Sequence, residues 1–357
     1  MPGMARRGVL PNMKTIAITL GDPSGIGPET IAKAFRDAPD ATRGCFVAGD
    51  VGTMRRASAL VSGSDQPAFP VALIATPAEL WDVPPRCIPV LQITERLAPI
   101  PYAKVSALAG KVAADCVLWA SRAALRGELA ALVTAPLHKE ALAAAGLPYP
   151  GHTELLQFEA AAYLGKPVQE VPVRMMLAND ELRTVLVSIH MSLRRAIEAV
   201  TFDNVLQTLR ITHRSVAAAL GRAPRIGVAG LNPHAGEGGL FGREEIDIIL
   251  PAIQAARAEG LDVHGPFAPD TVFMRARAKN GQPGEFDVVV AMYHDQGLIP
   301  VKYLGVEQGV NVTLGLPLVR TSPDHGTAFD IAGKGVADAS SLIAALRMAR
   351  QLSRIQT

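Results

Sequence analysis

The sequence predicts an α/β fold with a largely parallel sheet. Short runs of apolar and β-branched residues alternate with longer Ala- and Leu-rich segments of helical period, which is the pattern of strands joined by crossover helices. At 357 residues the chain is long enough for two domains of ordinary size or for one large α/β unit. No repeat or low-complexity tract interrupts the alternation.

The individual elements follow from length and pattern. Short, apolar, β-branched segments are predicted as strands: Thr15–Leu20, Cys45–Ala48, Val71–Ala75, Ile88–Ile93, Ala130–Thr134, Val173–Leu177, Arg183–Ile189, Arg225–Ala229, Val288–Met292 and Val310–Leu314. Longer segments with a 3.6-residue apolar period are predicted as helices: Pro28–Ala38, Ala103–Arg126, Lys139–Ala145, Glu154–Leu164, Asp203–Leu220, Glu244–Glu259 and Ala339–Leu352. Asn179-Asp180 lies between two apolar runs, so we expect a hairpin and an antiparallel pair across 173–189.

Composition narrows the class of function. The 35 Lys and Arg residues nearly balance the 33 Asp and Glu residues, and no basic run would follow a phosphodiester backbone, so we expect no nucleic-acid partner. No apolar segment reaches the length of a signal peptide or a membrane span, and residues 1–13 are predicted to be a disordered leader. The 3 cysteines are too few and too far apart for a disulfide framework or a zinc knuckle, which fits a reducing cytoplasm.

Reactive residues follow several predicted strands directly. The clusters are Gly21–Gly25, Ala135–Lys139, His190, Gly230–His234 and Tyr293–Asp295. In open α/β sheets ligands bind outside the carboxyl ends of the strands, so we expect these clusters to converge on one cleft. His138, in the second cluster, is interpreted as structural or solvent-facing.

Three histidines occupy the same position, at or just beyond a strand end: His190, His234 and His294. A single histidine at such a place is more often a structural hydrogen-bonding group than a ligand. Three of them, with Asp270 and Asp295 available as oxygen ligands or supporting groups, favour a divalent metal site with an open position for substrate.

Two glycine-rich stretches suggest close packing around ligands. Residues 21–29 join a strand to a helix, either as a simple tight turn or with backbone N–H groups facing an anion. Residues 229–242 read AGLNPHAGEGGLFG and fail the dinucleotide fingerprint, because Phe241 stands where a glycine is required. We expect the glycines after His234 to let substrate and cofactor come close.

A second polar set suits an anionic substrate. It comprises His152, Thr153, Lys302, Asn311 and Arg320. One Lys, one Arg, a His and two neutral groups would bind a phosphate or a carboxylate, with Arg giving planar bidentate recognition. The structural alternative makes Thr153 a helix cap and Lys302 a solvated charge.

Five motifs occur in an order and at spacings typical of one enzyme family. They are Gly21-Asp-Pro-Ser-Gly-Ile-Gly-Pro-Glu29, Gly151-His-Thr-Glu154, Gly230-Leu-Asn-Pro-His-Ala-Gly-Glu-Gly-Gly239, Tyr293-His-Asp-Gln-Gly297 and Asp324-His-Gly-Thr-Ala328. Together they closely resemble the 4-hydroxythreonine-4-phosphate dehydrogenase family of pyridoxal phosphate synthesis, from about Lys14 to the C-terminus. The first and last motifs are also similar to loops of isopropylmalate and isocitrate dehydrogenases.

The resemblance implies a fold and a cofactor. The fold is two three-layer α/β/α domains with mixed, largely parallel sheets and a cleft between them, as in isopropylmalate dehydrogenase. The cofactor-side domain is expected to comprise 14–146 plus 300–357, and the domain with the metal ligands and dimer interface 147–299. NAD or NADP would bind without a Rossmann fingerprint, at Gly21, Asp22, Gly25, His325, Gly326, Thr327 and Asp330.

The resemblance also assigns the remaining site residues. His190 and His234 would bind the metal, Zn or Mg, Co or Mn, together with His294 of the other subunit, so the active site would be shared in a homodimer. His152, Thr153, Lys302, Asn311 and Arg320 would bind substrate. Asp270 and Asp295 would lie beside the metal, and either Asp295 or Lys302 would accept the proton of the substrate hydroxyl.

The implied reaction is oxidation and decarboxylation of a phosphorylated β-hydroxy acid, 4-(phosphooxy)-L-threonine in vitamin B6 biosynthesis. Related branches of the family act on 4-phospho-threonate or erythronate, or on a cis-dihydrodiol dicarboxylate derived from terephthalate. Asp22 stands where some close relatives have Glu, which leaves the branch open. Acyl transfer of the phosphate acetyltransferase type and a non-catalytic metabolite sensor are the alternatives from other classes.

Overall fold

The structure is a computed structural model that describes residues 14–63 and 66–353. The predicted leader, 1–13, lies outside the described residues. Within the described part of the chain, no helix combines the length and the apolar character needed to cross a membrane.

All the named strands belong to a single 12-stranded sheet. They are β1 (Thr15–Thr19), β2 (Cys45–Gly49), β3 (Val71–Ile74), β4 (Ile88–Gln92), β5 (Leu129–Thr134), β6 (Arg174–Ala178), β7 (Arg183–Leu186), β8 (Ile226–Ala229), β9 (Val263–Phe267), β10 (Val288–Ala291), β11 (Val310–Leu314) and β12 (Arg320–Pro323). Their order across the sheet is β3-β4-β2-β1-β5-β12-β11-β6-β7-β10-β8-β9. Both outer parts are parallel, and the antiparallel pairs β12/β11, β11/β6 and β6/β7 join them in the middle.

Helices connect the strands and account for the burial of the sheet. They are α1 (Gly27–Asp37), α2 (Pro39–Thr42), α3 (Val51–Ser62), α4 (Ala107–Leu125), α5 (Lys139–Ala144), α6 (His152–Leu164), α7 (Leu193–Glu198), α8 (Phe202–Leu220), α9 (Leu250–Ala258), α10 (Val272–Ala276), α11 (His294–Tyr303) and α12 (Ser340–Ser353). Every residue of β1, β2, β8 and β10 is buried, as expected for parallel strands with both faces covered.

The predicted α/β class with a largely parallel sheet is confirmed. The expected hairpin is present, because Met176 of β6 pairs with Val185 of β7 in antiparallel register. The Asn179 side chain stabilises the turn by accepting hydrogen bonds from the N–H groups of Glu181 and Leu182, each at 2.9 Å. The division of the chain into two domains stays a prediction.

The sequence prediction missed two strands and several helices. β12 reads Arg-Thr-Ser-Pro and β9 reads Val-His-Gly-Pro-Phe, so neither has the apolar, β-branched run that marks a strand. α11 carries Pro300 in its interior and has little amphipathic pattern, and α3, α7 and α10 were also not predicted. Predicted strand 183–189 is shorter in the structure, ending at Leu186.

Candidate active site

The two predicted cofactor segments contact each other directly. The loop after β1 and the segment after β12 are joined by a hydrogen bond from Ile26 N–H to the Thr327 carbonyl, at 3.0 Å. A Cβ atom added at Gly25 would lie 2.9 Å from both the Cβ and the carbonyl oxygen of Thr327. Gly25 is therefore required for this close approach, whereas Gly326 and Asp330 are exposed beside it.

The first of these loops is a tight turn rather than an open anion cradle. Three N–H groups at the start of α1 are used within the protein: Ser24 N–H donates to the Asp22 carboxylate at 2.8 Å, Gly25 N–H to the Asp22 carbonyl at 3.0 Å, and Ile26 N–H to Thr327. Gly21 has φ +71°, and a Cβ atom there would lie 2.5 Å from the Pro136 carbonyl oxygen. The loop geometry thus favours the first of the two interpretations of residues 21–29.

Asp22 places a buried carboxyl group in this turn. The residue is fully buried, burial raises the pKa of its carboxyl group, and the Ser24 N–H partly offsets that rise. One carboxylate oxygen, Oδ2, has no hydrogen-bond partner among the described residues, and the same holds for Nε2 of His325. Buried polar atoms without partners are uncommon in native proteins, so both atoms are candidates to contact a ligand.

His138 also belongs to this region, although the sequence interpretation placed it outside the site. Its ring stacks on Phe329, with centroids 4.7 Å apart and planes at 24°. Its positive charge would lower the pKa of Asp22, which places it near that carboxylate. The signal that could have identified His138 is its position beyond a strand end, the same position that drew attention to the other three histidines.

Arg320 forms the buried cation of the predicted substrate set. It is 4% exposed and donates hydrogen bonds to Thr134 Oγ1, at 2.7 and 3.1 Å, and to Thr313 Oγ1, at 3.0 Å. In the described part of the chain these acceptors are hydroxyls rather than a carboxylate. Burial lowers the pKa of Arg320 to about 10. The charge of Glu154 partly offsets this fall. Among the described residues the guanidinium itself donates to hydroxyls rather than to a carboxylate, which suits it to an anionic ligand.

His152 lies close to this guanidinium. The pKa of His152 is well below its usual range, first because of burial and second because of the positive charge of Arg320, so the ring is neutral at pH 7. Its Nε2 is buried and has no partner among the described residues. Helix α6 begins at His152 with Gly151 as N-cap and no side-chain cap, so the alternative of Thr153 as a helix cap is wrong.

Lys302 connects the substrate set to the cofactor segment. Its Nζ lies 2.6 Å from Oδ2 of Asp324, the residue directly before His325. Asp324 is largely buried and Lys302 is partly exposed, so this is more than a solvated surface charge. Asn311 of β11 pairs in register with Ser322 of β12, the strand that also carries Arg320.

Two of the three predicted metal ligands lie together. The ring centroids of His190 and His294 are 5.5 Å apart, beside a cavity of about 270 Å³ that Tyr293 and Asp295 also line. His294 Nδ1 is 2.7 Å from Asp295 Oδ1. Burial, followed by the charge of His294, lowers the pKa of His190 and favours its neutral form, the form that binds metals.

The third histidine is held apart on an unusual turn. His234 opens six consecutive residues with positive φ, ending at Gly239. Its ring lies against Phe241, with centroids 6.1 Å apart. No group of three His, Cys, Asp or Glu side chains within residues 14–63 and 66–353 is arranged to hold a metal ion. Asp270 is exposed beyond β9. One chain therefore brings together two of the three predicted metal ligands, His190 and His294, but not all three.

Exposed apolar side chains surround these histidines. Leu193 is 59% exposed and Leu240 is 73% exposed, and Met191 and Phe241 are also among the exposed large apolar residues. Met191 follows His190 directly, and Leu240 and Phe241 follow the turn of His234. Apolar groups of this size concentrated around a polar site are typical of a surface that another protein chain covers.

Comparisons with known proteins identify the family of the chain. Residues 41–349 match the family described as pyridoxal phosphate biosynthetic protein PdxA. A 4-hydroxythreonine-4-phosphate dehydrogenase from Beijerinckia indica is 54% identical over 339 residues, 94% of each chain. A D-threonate 4-phosphate dehydrogenase from Pectobacterium atrosepticum is 43% identical over 344 residues, 95% of this chain and 99% of the relative.

A solved structure extends the agreement to three dimensions. The crystal structure of 4-hydroxythreonine-4-phosphate dehydrogenase from Klebsiella pneumoniae matches with a TM-score of 0.81 and 40% identity, and the match covers 95% of this chain and 99% of the other. The match to the family and the coverage of nearly the whole length of dehydrogenase relatives confirm the predicted resemblance. The chain belongs to the PdxA family of dehydrogenases, oxidoreductases that act on a CH–OH group.

Proposed function

We propose that the protein oxidises and decarboxylates 4-(phosphooxy)-L-threonine in pyridoxal phosphate biosynthesis, using NAD or NADP and a divalent metal. The observation that carries this proposal is the ion pair of Lys302 with Asp324. It links the residues expected to bind substrate to the segment expected to bind cofactor. Hydride transfer needs substrate and cofactor to be held in contact, and this ion pair joins the segments proposed to bind them.

The cationic residues favour a phosphorylated substrate. Arg320 is buried among hydroxyl groups, and Lys302 carries a second positive charge near the same strand pair. Two cations can balance a phosphate dianion, and the planar guanidinium can bind two of its oxygens. Thr153 and Asn311 would add neutral hydrogen bonds, and neutral His152 could donate or accept one through its unpartnered Nε2.

The reaction assigns separate tasks to the residues of the chain. A bound divalent ion would lower the pKa of the substrate hydroxyl, and the nicotinamide would accept the hydride. Asp295 would take the hydroxyl proton while Lys302 stays charged; in the alternative, an uncharged Lys302 would take it and would not balance the phosphate. Asp270 would be a further acidic group beside the metal. Oxidation yields a β-keto acid, whose carboxylate is then lost as CO₂. Asp22, Gly25 and the 325–330 segment would position the cofactor.

The donor set fits a divalent metal shared between two copies of the chain. Zinc binds imidazole at about 2.0–2.1 Å, which puts two rings on one ion roughly 5 Å apart, close to the separation of His190 and His294. The third imidazole, His234, lies apart in the same chain. The exposed apolar side chains around both positions suit a second copy that completes the site.

Two assignments of the histidines to subunits are open to test. The family resemblance pairs His190 with His234 and takes His294 from the other subunit. The 5.5 Å separation favours His190 and His294 as the pair from one chain, with His234 from the other. Mixed dimers of inactive alanine variants separate the two assignments, because activity returns only where one intact site can form.

Mixed dimers of His190→Ala with His294→Ala should be active if His294 comes from the other subunit. They should be inactive if His234 comes from the other subunit. In mixed dimers of His190→Ala with His234→Ala, the outcomes are reversed. Unmixed variants serve as controls, and size-exclusion chromatography verifies that dimers form. Activity that returns in neither combination would contradict a shared site.

Substrate choice is tested by NADH or NADPH absorbance with a panel of acids. We expect turnover with 4-(phosphooxy)-L-threonine and Zn²⁺ or Mg²⁺. D-threonate 4-phosphate is the second candidate, because several relatives that carry this name are 41–45% identical to the chain. Faster turnover of that acid, or of a terephthalate cis-dihydrodiol, would reassign the branch. Acyl transfer without any nicotinamide reduction would refute the dehydrogenase proposal.

The proposed cellular setting is the cytoplasm. A cytoplasmic location fits the three cysteines, which are unpaired in the described part of the chain. The near balance of charges gives no support to a nucleic-acid or membrane partner. The proposed partners are therefore the phosphorylated hydroxy acid, the nicotinamide cofactor, the metal and a second copy of the chain.

A further inference from the structure

The turn that carries His234 has a left-handed backbone. His234, Ala235, Gly236, Glu237 and Gly238 have φ values of 52°, 52°, 79°, 43° and 67°. Residues with a side chain rarely adopt this conformation, because Cβ approaches the following carbonyl oxygen. Three residues with side chains in one such run persist only if the surrounding structure determines the conformation.

A buried carboxylate supplies that support. Glu245 lies at the start of the π-helical turn Glu245–Ile249, before α9, and is 2% exposed. Its Oε1 accepts hydrogen bonds from the N–H groups of Leu231 and Asn232, each at 2.7 Å. Its Oε2 accepts one from the Asn232 side chain, at 2.9 Å. The carboxylate thereby fixes the residues that lead into the turn.

Several glycines of this stretch make room for acidic side chains. A Cβ atom at Gly236 would lie 2.7 Å from Glu245 Oε2, and one at Gly230 would lie 3.0 Å from Glu245 Oε1. A Cβ atom at Gly242 would lie 2.5 Å from Glu244 Oε2. At Gly236 and Gly242, two of the glycines that follow His234, the missing Cβ makes room for the protein's own carboxylates.

The same stretch is tied to the other predicted ligands. Gln296 donates through Nε2 to the Gly230 carbonyl at 2.8 Å and accepts through Oε1 from Met292 N–H at 2.7 Å. Met292 and Gln296 flank His294 at the start of α11. The position of the His234 turn is therefore coupled to the helix that presents His294.

We propose that Glu245 is a positioning residue for metal binding, which holds the left-handed turn so that His234 is presented as a ligand. The inference rests on the proposed metal site. Removing a supporting contact of this kind typically weakens metal affinity by about 10- to 100-fold without removing a ligand. A glutamine at 245 would place an NH₂ group against the NH₂ group of Asn232, so the substitution breaks the arrangement at nearly constant size.

The test compares two pairs of variants of the full-length protein. Gly236→Ala crowds the Glu245 carboxylate, whereas Gly238→Ala has the same left-handed strain and no atom within 4 Å of the new Cβ. Glu245→Gln is matched by Glu159→Gln, another buried carboxylate, which binds Arg122 and holds no part of the turn. Zinc affinity is measured by competition with a chromophoric chelator, well below each melting temperature.

We expect the dissociation constant for Zn²⁺ to rise about 10- to 100-fold for Glu245→Gln and Gly236→Ala and less than about 3-fold for their controls. Hydrogen exchange of the Leu231 and Asn232 amides in the metal-free protein should be faster in the same two variants. Equal zinc affinities within each pair would overturn the inference. A wild-type protein that binds no Zn²⁺ would refute the proposed metal site. Unchanged hydrogen exchange of the Leu231 and Asn232 amides in the two variants would separately refute the role of Glu245.

Discussion

In the cofactor region, residues 21–29 and 325–330 contact each other within one chain, whereas in the histidine region His190 and His294 lie together and His234 lies apart. The first region is closed by backbone contacts that leave no room for a side chain at Gly25. The second is open, and apolar side chains surround it. One chain thus completes the expected cofactor segments but not the expected metal site.

The difference concerns what each ligand requires. A dinucleotide is large and can be positioned by two packed loops that preserve their shape without it. A metal ion needs several donors within a few tenths of an ångström of set distances, and a site completed by a second chain forms only in the dimer. Perturbations of the two regions should therefore have separable effects on cofactor, substrate and metal.

The largest expected effect is that of His234→Ala. Loss of one imidazole should reduce kcat by at least about 100-fold and weaken zinc retention, while the melting temperature of the metal-free protein changes little, because the ring is not part of the core. Zinc content after dialysis, turnover and thermal unfolding are the measurements. Full activity of the variant in metal-depleted buffer would refute the role of His234.

Arg320→Ala should act on substrate rather than on metal or cofactor. Removing the buried guanidinium should raise KM for a phosphorylated substrate by about 10- to 100-fold and change KM for NAD⁺ little. Because Arg320 is buried, circular dichroism must first verify that the variant folds. Arg320→Lys keeps the charge without the planar pair of donors and should recover part of the loss. An unchanged KM would place the anion site elsewhere.

Gly25→Ala should affect the cofactor alone. The new Cβ would lie 2.9 Å from Thr327 and force the two loops apart, so we expect KM for NAD⁺ to rise roughly 10-fold while zinc affinity is maintained. Gly127→Ala, at a left-handed position with no neighbouring atom within 4 Å, controls for general destabilisation. A parallel loss of zinc affinity in Gly25→Ala would mean that the two regions are not independent.

The smallest effect concerns His152 and pH. The pKa of folded His152 lies well below that of the unfolded chain, about 6.5, so only the unfolded state takes up a proton as the pH falls through that value. The free energy of unfolding should therefore decrease between pH 7 and pH 5. His152→Gln should reduce this decrease by up to about 2 kcal/mol, as measured by urea unfolding. An identical pH dependence in both proteins would contradict the depressed pKa.

Much of the fold and part of the site could be predicted because their signals are local. The strands in the outer, parallel parts of the sheet carry apolar runs, and several reactive residues follow these strands directly in sequence. β12 could not be predicted, since Arg320 to Pro323 contain no apolar residue with strand character, and its place in the sheet depends on pairing with β5 and β11. α11 was missed because Pro300 interrupts its pattern.

The roles of individual glycines and histidines were the least accessible to sequence reasoning. The carboxylate that requires Gly236 belongs to Glu245, on the following helical turn, and this contact exists only after the chain has folded back. His138 joins the predicted cofactor segment through stacking on Phe329, which is far away in sequence. Such relations depend on tertiary packing, and no periodicity in the sequence reports them.

The position of β12 gives the active site a fixed length scale. Arg320 opens the strand and Asp324 follows its last residue, so the four intervening steps span about 13 Å of extended backbone in the centre of the sheet. With the phosphate on Arg320 and the cofactor on the 325–330 segment, as proposed, the substrate's reactive carbon would lie at a set distance from its phosphate. We therefore expect the enzyme to discriminate among phosphorylated acids by chain length as well as by charge.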